Sequence, residues 1–124
     1  MSGTKHDSGK APIHFLTREF IEGVAQAQGY GAKKYDAYNF CKGLSHTRLL
    51  DAAFRHLFAH TWGEDIDQES GLPHIFLAGA NLNMLSYMIK NHPELDDRYK
   101  QTPNSLEDTL IDHMAKHTNL TVFT

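Results

Sequence analysis

A chain of 124 residues, 40% hydrophobic and 22% charged, has the length and composition of a single globular domain. Its formal net charge of −3 argues against nonspecific binding to nucleic-acid polymers or to anionic membrane surfaces. Cys41 is the only cysteine, which excludes an intramolecular disulfide, and no apolar run approaches the roughly 18 residues of a membrane span. We also find no signal-peptide pattern, so we expect a cytoplasmic protein.

The N-terminal part of the chain predicts a short lead-in followed by a first helix. Residues 1–10 are small and polar, which is typical of disordered termini, and residues 12–16 are expected to be extended. Thr17 is a favourable N-cap, and apolar residues then recur at helical spacing. They are Phe20, Ile21, Val24 and Ala25. Gly29 and Gly31 are predicted to end this helix.

A second helix is predicted to start near Ser45 or Thr47 and to end at Trp62, because a glycine follows. Its expected apolar face consists of Leu50, Ala53, Phe54, Leu57 and Phe58. Asp51 and Arg55 lie four residues apart on the same helix. They could form an intrahelical ion pair worth a few tenths of a kcal/mol.

A third helix is predicted from about Pro73 to Lys90, since proline is favourable in a first helical turn. One stripe of this helix recurs at helical spacing and should face the core. It comprises His74, Ala78, Asn81, Leu85 and Met88. The two polar members of the stripe need hydrogen-bond partners if they are buried. Pro93 is expected to end the region.

The C-terminal residues 101–124 predict a fourth helix and a tail. Ser105 and Asp108 have the spacing of a capping box, and the helix is expected to run to about His117. Its apolar stripe is Leu106, Leu110, Ile111 and Met114. The tail at residues 119–124 is β-prone but too short to fold alone. We therefore expect this segment to pack on the domain or on a partner subunit.

Four carboxylates crowd into six residues between the second and third helices, at Glu64, Asp65, Asp67 and Glu69. Like charges this close repel each other, and a divalent cation would relieve that repulsion. Oxygen-rich sites of this kind suit Mg²⁺, Mn²⁺ or Ca²⁺. His56 and His74 flank the segment and would join it if the two helices form an antiparallel hairpin. The alternative is a solvated acidic turn that binds nothing.

The acidic segment is not an EF-hand. Ser70 stands where that loop needs glycine, and Phe76 stands where it needs a bidentate glutamate. We therefore expect an active-site metal, bound by two or three of the carboxylates. His56 and His60 have the spacing of a zinc helix, but no third motif ligand accompanies them. His60 is interpreted as an exposed histidine near a helix C-terminus.

A second set of candidate residues begins in the Gly- and Tyr-rich segment 29–40. Lys34 could meet a phosphate, Asn39 could bond a base edge, and a nearby aromatic ring could stack on a base. Arg48 and Arg55 add cations on the second helix. The alternative is that these residues are ordinary surface charges.

Three ordered blocks of the chain resemble a known family. They read Gly31-Ala-x-Lys-Tyr35 with Asn39-Phe40, then Ser45-x-x-Arg-Leu-Leu-Asp-Ala-Ala-x-Arg-His56-Leu, then Gly63-Glu-Asp-x-Asp-x-Glu-Ser-Gly-Leu-Pro-His74, followed by Asn81. Together they are similar to the phage dATP/dGTP diphosphohydrolases, which are MazG-like, all-α nucleotide pyrophosphohydrolases of the MazZ type. The resemblance covers roughly residues 10–100.

The resemblance implies an all-α, MazG-like helical bundle, with its pyrophosphohydrolase domain at residues 11–100. We expect about four helices in the chain, including the C-terminal one, and completion of the bundle by assembly into a homodimer or homotetramer. It also implies that two or more divalent ions, Mg²⁺ or Mn²⁺, assist cleavage of a purine deoxynucleoside triphosphate between its α and β phosphates. The products would be the monophosphate and pyrophosphate. In the host cytoplasm this reaction would supply dGMP for 2-aminoadenine DNA and deplete dATP. No nucleic-acid polymer and no membrane is implied as a partner.

The site residues are assigned by local chemistry within the matching blocks. The Glu-x-x-Glu and Glu-x-x-Asp patterns of the wider MazG-like superfamily are absent from the second and third helices. The predicted metal ligands are His56, Glu64, Asp65, Asp67, Glu69 and His74. The predicted catalytic groups are Glu64, Asp67 and Glu69. The predicted nucleotide-binding residues are Lys34, Tyr35, Asn39, Phe40, Arg55 and Asn81.

Two alternatives from other functional classes stay open. An HD-type triphosphohydrolase would release whole triphosphate, but the only His-Asp dipeptide is His6-Asp7, within the lead-in. A non-catalytic helical module that binds nucleotide, metal or a partner would show no turnover. Analysis of the reaction products separates the three hypotheses.

Overall fold

The computed structural model describes residues 3–100 and 113–114, and every regular element within them is a helix. Helix α1 spans Arg18–Tyr35, α2 spans His46–Thr61 and α3 spans His74–Asn91. Short 3-10 helices lie at Ile13–Phe15, Asn39–Lys42 and Pro93–Leu95. The predicted all-α fold is therefore confirmed.

The predicted fourth helix and tail lie outside the described residues, apart from His113 and Met114, which are helical. The division into a domain at residues 11–100 and a C-terminal segment therefore stays a prediction. None of the described helices is long and apolar enough to cross a membrane.

The domain starts with a turn, and the extended conformation expected for residues 12–16 is wrong. Residues Ile13–Phe15 form a 3-10 helix. The N–H of Phe15 donates to the carbonyl of Pro12 at 2.9 Å. Proline fixes its own φ near the helical value, so Pro12 is compatible with a tight turn that opens at its own position.

Helix α1 begins as predicted but ends later than predicted. Thr17 is its N-cap, and the hydroxyl accepts from the N–H of Phe20 at 3.3 Å. The helix passes through Gly29 and Gly31 and ends only at Asp36, which has a φ of +75°. A glycine inside a helix costs only about 0.5–1 kcal/mol. The surrounding alanines and lysines are good helix formers, so the two glycines do not stop the helix.

Both ends of α2 lie close to their predicted positions. Ser45 is the N-cap, but its side chain makes no capping hydrogen bond. Asp97 takes that role instead, accepting from the Thr47 N–H at 2.9 Å and from the Thr47 hydroxyl at 2.6 Å. The helix ends at Trp62, and Gly63 follows with a φ of +96°. That left-handed conformation favours glycine and confirms the predicted stop.

The apolar face predicted for α2 is largely wrong. The buried residues of this helix are His46, Leu49 and Ala53, and Leu50 is half-buried against the core, so the prediction is correct for Leu50 and Ala53. Phe54 is 52% exposed and Phe58 is 59% exposed. The physical reason is that α2 packs chiefly on α3, and one neighbouring helix buries only a narrow stripe.

Helix α3 lies at the centre of the fold, because α1 and α2 both pack chiefly against it. Its predicted stripe is confirmed. His74, Ala78, Leu85 and Met88 are buried, and Asn81 is half-buried. Helices α2 and α3 form the expected antiparallel hairpin, since His56 meets His74 at one end of the pair while Leu49 meets Leu85 and Met88 at the other.

The core lies at the end of this hairpin where α2 begins. Leu49, Leu85 and the fully buried Met88 form it, and Phe40 and Leu44 pack against them. Phe40 also meets the Tyr87 ring edge-on, with ring centroids 5.6 Å apart. These contacts fix the 3-10 helix Asn39–Lys42 against α3, beside the first turns of α2.

Helix α1 approaches α3 closely at two buried glycines. A Cβ atom at Gly23 would overlap the Phe76 ring, and one at Gly79 would lie 2.7 Å from Cγ2 of Val24. This crossing holds α1 against α3. A groove stays open between α1 and α2, with α3 as its floor.

Candidate metal centre and adjoining pocket

Two histidines meet where α2 and α3 face each other across the hairpin. His56 Nδ1 and His74 Nδ1 lie 2.8 Å apart, and the ring centroids are separated by 5.1 Å. One of these nitrogens must carry a proton and the other must accept it. His74 is buried and His56 is half-buried. The hairpin thus brings together two histidine ligands that lie 18 residues apart in the sequence.

The acidic loop adds one carboxylate to the histidine pair. The N–H of Asp67 donates to the Leu72 carbonyl at 2.8 Å, and the N–H of Gly71 donates back to the Asp67 carbonyl at 2.8 Å. Oδ2 of Asp67 accepts from the Ser70 N–H at 2.9 Å and from the Ser70 hydroxyl at 2.7 Å. The loop therefore fixes the Asp67 side chain through its own hydrogen bonds.

His56, Asp67 and His74 each offer one ligand atom, and these three atoms all lie within 4.8 Å of one another. Two imidazole nitrogens and one carboxylate oxygen suit a divalent transition metal, and among the predicted ions Mn²⁺ fits this donor set better than Mg²⁺. Nε2 of His74 is buried without a hydrogen-bond partner among residues 3–100. Such an unsatisfied buried nitrogen is consistent with a site built for a ligand.

The protonation states of the cluster suit a metal ligand set. Burial lowers the pKa of His56, and the neighbouring His74 lowers it further, which leaves a neutral imidazole. Burial acts to raise the pKa of Asp67, but hydrogen bonds from Ser70 and the two nearby histidines outweigh it. The net pKa of Asp67 is lowered, so the carboxylate is ionised.

The other three predicted carboxylates lie outside this cluster. Oε2 of Glu64 is 3.5 Å from Nε2 of His74, an ion-pair distance at the edge of the centre. Oδ1 of Asp65 is 3.7 Å from Nδ1 of His60, and both side chains are exposed. Glu69 is paired with Lys34 of α1.

Glu69 and Lys34 bind each other. Nζ of Lys34 donates to Oε1 of Glu69 at 3.0 Å, and both side chains are largely exposed. The hydrogen bond with Glu69, followed by one with Tyr35, raises the pKa of Lys34. The contact joins the C-terminal end of α1 to the acidic loop, and it pairs a predicted phosphate ligand with a predicted catalytic group.

A cavity of about 460 Å³ occupies the groove between α1 and α2. Five of the six residues predicted to bind nucleotide line it, and Lys34 does not. The five are Tyr35, Asn39, Phe40, Arg55 and Asn81. Gln28 and Arg48 also line it, and sequence analysis did not assign them to the site. Arg48 was named only as a cation on the second helix, although it precedes Arg55 by two helical turns and shares its face.

The cavity lies beside the metal cluster along both helices of the hairpin, although none of the three cluster residues lines it. Ala52 lines the cavity one turn before His56 on α2. Asn81 lines it two turns after His74 on α3. Arg55 lines the cavity and is the residue next to His56. A ligand in the groove would therefore lie along the two helices with one end beside Arg55, next to the cluster.

The two arginines of the cavity have no ion-pair partner within residues 3–100. The intrahelical pair that Asp51 and Arg55 could have formed is absent there. Free guanidinium groups beside aromatic rings offer charge-assisted hydrogen bonds to an anionic ligand with a flat ring. This chemistry fits a phosphorylated aromatic molecule.

Comparisons with known proteins show the family to which the chain belongs. Residues 1–98 match the family described as dATP/dGTP diphosphohydrolase, N-terminal. The chain is 39% identical over 98 residues to the dATP/dGTP diphosphohydrolase of Salmonella phage PMBT28, a match that covers 79% of this chain and 33% of the relative. The chain thus spans about a third of that relative's length, and no solved structure matches it. It belongs to the dATP/dGTP diphosphohydrolase family, whose N-terminal region it matches.

Proposed function

We propose that this chain hydrolyses dATP and dGTP to the deoxynucleoside monophosphate and pyrophosphate with the help of a divalent metal. The observation that carries the proposal is the His56–Asp67–His74 cluster, next to a cavity that is lined by two arginines and by aromatic rings and reaches Arg55, the residue before His56. The name of the phage relative supports the substrate pair. The proposal extends to the host cytoplasm, where the reaction would supply dGMP for 2-aminoadenine DNA and deplete dATP.

The metal would be held by His56, Asp67 and His74, with Glu64 close enough to join them. When bound, Mn²⁺ or Mg²⁺ would neutralise phosphate charge and make a nearby water more acidic. Ser70 holds the Asp67 carboxylate in place through two hydrogen bonds. The loop therefore supplies an oriented ligand that does not need to be ordered when the cation binds.

The chain's own residues divide the work of hydrolysis between charge and orientation. Arg55, at the metal end of the cavity, would bind the phosphate oxygens. Glu64 or Glu69 would take the proton of the attacking water, whose oxygen bonds to the α phosphorus as the bond to the leaving pyrophosphate breaks. Tyr35 and Phe40 would stack on the purine, and Asn39 and Asn81 would bond its edges.

Product analysis tests the proposal. The purified chain is incubated with dGTP, dATP, dCTP and dTTP in Mg²⁺, Mn²⁺ or EDTA, and the products are resolved by ion-exchange chromatography. We expect purine monophosphate and pyrophosphate, with no turnover in EDTA. Release of whole triphosphate would indicate the HD-type reaction instead. No turnover with any nucleotide would favour a non-catalytic binding module.

The Asp67→Asn variant ties the reaction to the cluster. Losing a group that hydrogen-bonds to a metal ligand already costs about 10–100-fold in metal affinity or activity, so losing a ligand carboxylate should lower turnover by more than about 100-fold. Asp51→Asn is the matched control, since Asp51 is an exposed carboxylate on α2 outside the cluster. Full metal-dependent turnover by Asp67→Asn would contradict the proposal.

We also propose that the chain assembles as a homodimer or homotetramer. Phe54 and Phe58 stack on the outer face of α2 with ring centroids 6.3 Å apart, and Trp62, which follows this helix, is 84% exposed. Clustered aromatic side chains on a helix surface mark protein–protein contacts more often than solvated faces do. A second copy of this chain is the partner that the family resemblance favours.

A further inference from the structure

The cavity extends away from the metal cluster along the hairpin. Arg48 lies eight positions before His56 on α2, which corresponds to roughly 12 Å along an α-helix. Because α3 runs antiparallel to α2, Met84 lies at the same end as Arg48, ten positions beyond His74. Both Arg48 and Met84 line the cavity. The cavity therefore has a metal end and a far end, separated by a distance that an extended nucleotide can span.

The far end of the cavity has the chemistry of a base pocket. Phe40, Leu44 and Met84 give it aromatic and apolar walls, and the core fixes Phe40 and Leu44 in place. Asn39 adds one amide and Arg48 adds one guanidinium. The phosphates belong at the opposite end, beside the metal ligands and Arg55. A purine would thus lie beside Arg48.

Arg48 differs from the other polar groups at this end because it can only donate hydrogen bonds. Its side chain lines the cavity and has no hydrogen-bond or ion-pair partner within residues 3–100, so its donors are not engaged by another residue of that range. Guanine presents two neighbouring acceptors, O6 and N7, that match the two donors of a guanidinium fork. Adenine presents N7 beside the N6 amino group, which is itself a donor and opposes the fork.

We infer that Arg48 is a specificity-determining residue that donates to O6 and N7 of guanine and makes the cavity prefer dGTP over dATP. The inference rests on the proposed function and goes beyond it, because it ranks the two purines and assigns the ranking to one side chain. The Asn39 amide can both donate and accept, so it can bond either purine. Adenine is therefore accepted less well rather than excluded.

The test compares kcat/KM for dGTP and dATP in the unmodified chain, Arg48→Met and Arg48→Lys. Methionine keeps the side-chain length without donors, and lysine keeps the charge without the fork. We expect Arg48→Met to lower the dGTP/dATP ratio roughly 10–100-fold, the discrimination typical of one bidentate contact. Arg48→Lys should lie between the two. Arg18→Met is the control, because Arg18 is paired with Glu22 outside the cavity.

Two analogues identify the atoms that are read. With the unmodified chain, dITP should behave as dGTP, since it keeps O6 and N7 and lacks only the N2 amino group. 7-Deaza-dGTP should be used less well than dGTP by the unmodified chain but equally well by Arg48→Met, because that variant has already lost the contact with N7. An equal loss of dGTP and dATP turnover in Arg48→Met would place Arg48 at the phosphates and overturn the inference.

Binding of the products gives a readout that does not need turnover. Titration calorimetry with dGMP and dAMP should show tighter dGMP binding in the unmodified chain and nearly equal binding in Arg48→Met. Equal affinities in the unmodified chain would overturn the inference even if both triphosphates are hydrolysed. A dGMP preference without any hydrolysis would instead contradict the proposed function and leave the role of Arg48 supported.

Discussion

At the level of single residues, the contact between His56 and His74 decides what the centre can bind. Their Nδ1 atoms are 2.8 Å apart, a hydrogen-bond distance that would lengthen by about 0.5 Å for both nitrogens to bind one tetrahedral metal ion. Without a cation the pair must share a proton, and burial together with His74 lowers the pKa of His56 and so disfavours a second one. A divalent cation can replace the shared proton and bind both nitrogens.

The sequence predicted the members of this centre but not their ranking. Four carboxylates lie between His56 and His74 in the sequence. Because all four carry the same charge and fall within six residues, the sequence does not distinguish which of them joins the histidines. Only the backbone path of the loop and the two hydrogen bonds from Ser70 select Asp67. Those depend on Gly71 at a φ of +73° and on pairing within the loop, which residue counts do not encode.

Substitutions in the ion pair between Lys34 and Glu69 can test a catalytic role of Glu69 separately from its contribution to stability. Exposed ion pairs contribute little to stability, so Glu69→Gln should leave the melting temperature almost unchanged. If Glu69 takes the proton of water, the same change should lower kcat by about 100-fold or more. Steady-state kinetics and a thermal melt of one preparation check both statements.

Lys34→Gln is the matched control for that experiment, because it removes the same ion pair from the other side. We expect it to raise KM through weaker phosphate binding while kcat falls much less than in Glu69→Gln. Equal losses of kcat in the two variants would mean that the ion pair itself matters and that Glu69 is not the base.

At the level of helices, the glycines of α1 have opposite roles that the sequence could not distinguish. Gly29 and Gly31 look like helix stops but lie inside the helix, with open space around both. Gly23 looks unremarkable by pattern, yet it is where α1 and the Phe76 ring of α3 meet. Helix propensity is a local property, whereas the need for a glycine at a crossing depends on the other helix.

Alanine substitutions in α1 should therefore have effects of opposite sign. Gly23→Ala should destabilise the fold by about 1–3 kcal/mol, since the added methyl group overlaps a packed ring. Gly29→Ala should stabilise it by about 0.5–1 kcal/mol, because it meets no atom and removes the entropic cost of glycine. Urea denaturation measures both, and a stabilising Gly23→Ala would show that the helices do not cross closely there.

The cap on α2 should make stability depend on pH. Hydrogen bonds from Thr47 lower the pKa of Asp97 in the folded chain below its ordinary value near 3.8. A lowered folded pKa contributes stability that is present above that ordinary value and is lost as pH falls through the folded pKa. Asp97→Asn should thus lower the melting temperature at pH 7, with a difference from the unmodified chain that shrinks below about pH 4.

Asp51→Asn is the control for the cap, because Asp51 is an exposed carboxylate on the same helix without a hydrogen-bond partner in the described part of the chain. Its melting temperature should follow the unmodified chain at every pH. An Asp97→Asn difference that stays constant down to pH 2.5 or so would mean that the carboxylate charge is not what stabilises α2.

At the level of the whole molecule, helices α1 and α2 both pack against the central helix α3. This arrangement leaves a groove between α1 and α2 and an exposed aromatic face on α2. The sequence predicted the helices because their apolar spacing is strong, and it predicted the buried stripe of α3 because that helix has neighbours on two sides. The sequence analysis predicted the wrong buried face for α2, because apolar periodicity does not distinguish residues that pack in the core from apolar residues that stay exposed. Phe54 and Phe58 are the residues that carried the error.

Assembly of the chain is the prediction that belongs to this scale. Light scattering coupled to gel filtration should give a mass of at least twice the 14.0 kDa of one chain. Phe58→Ser should reduce that mass towards a monomer. Ile89→Ser, which changes an equally exposed apolar residue on α3, should leave the mass unchanged. A monomeric unmodified chain would contradict the proposal.

The cap supplied by Asp97 also sets an order of events during folding. Thr47 and Asp97 are 50 residues apart in the chain, so the first turn of α2 is satisfied only after all of α3 has been made. A ribosome releasing the chain from its N-terminus would expose α2 before its cap exists. The α2–α3 hairpin should therefore form late and as one cooperative unit, after the segment that carries Asp97 has docked on the first turn of α2.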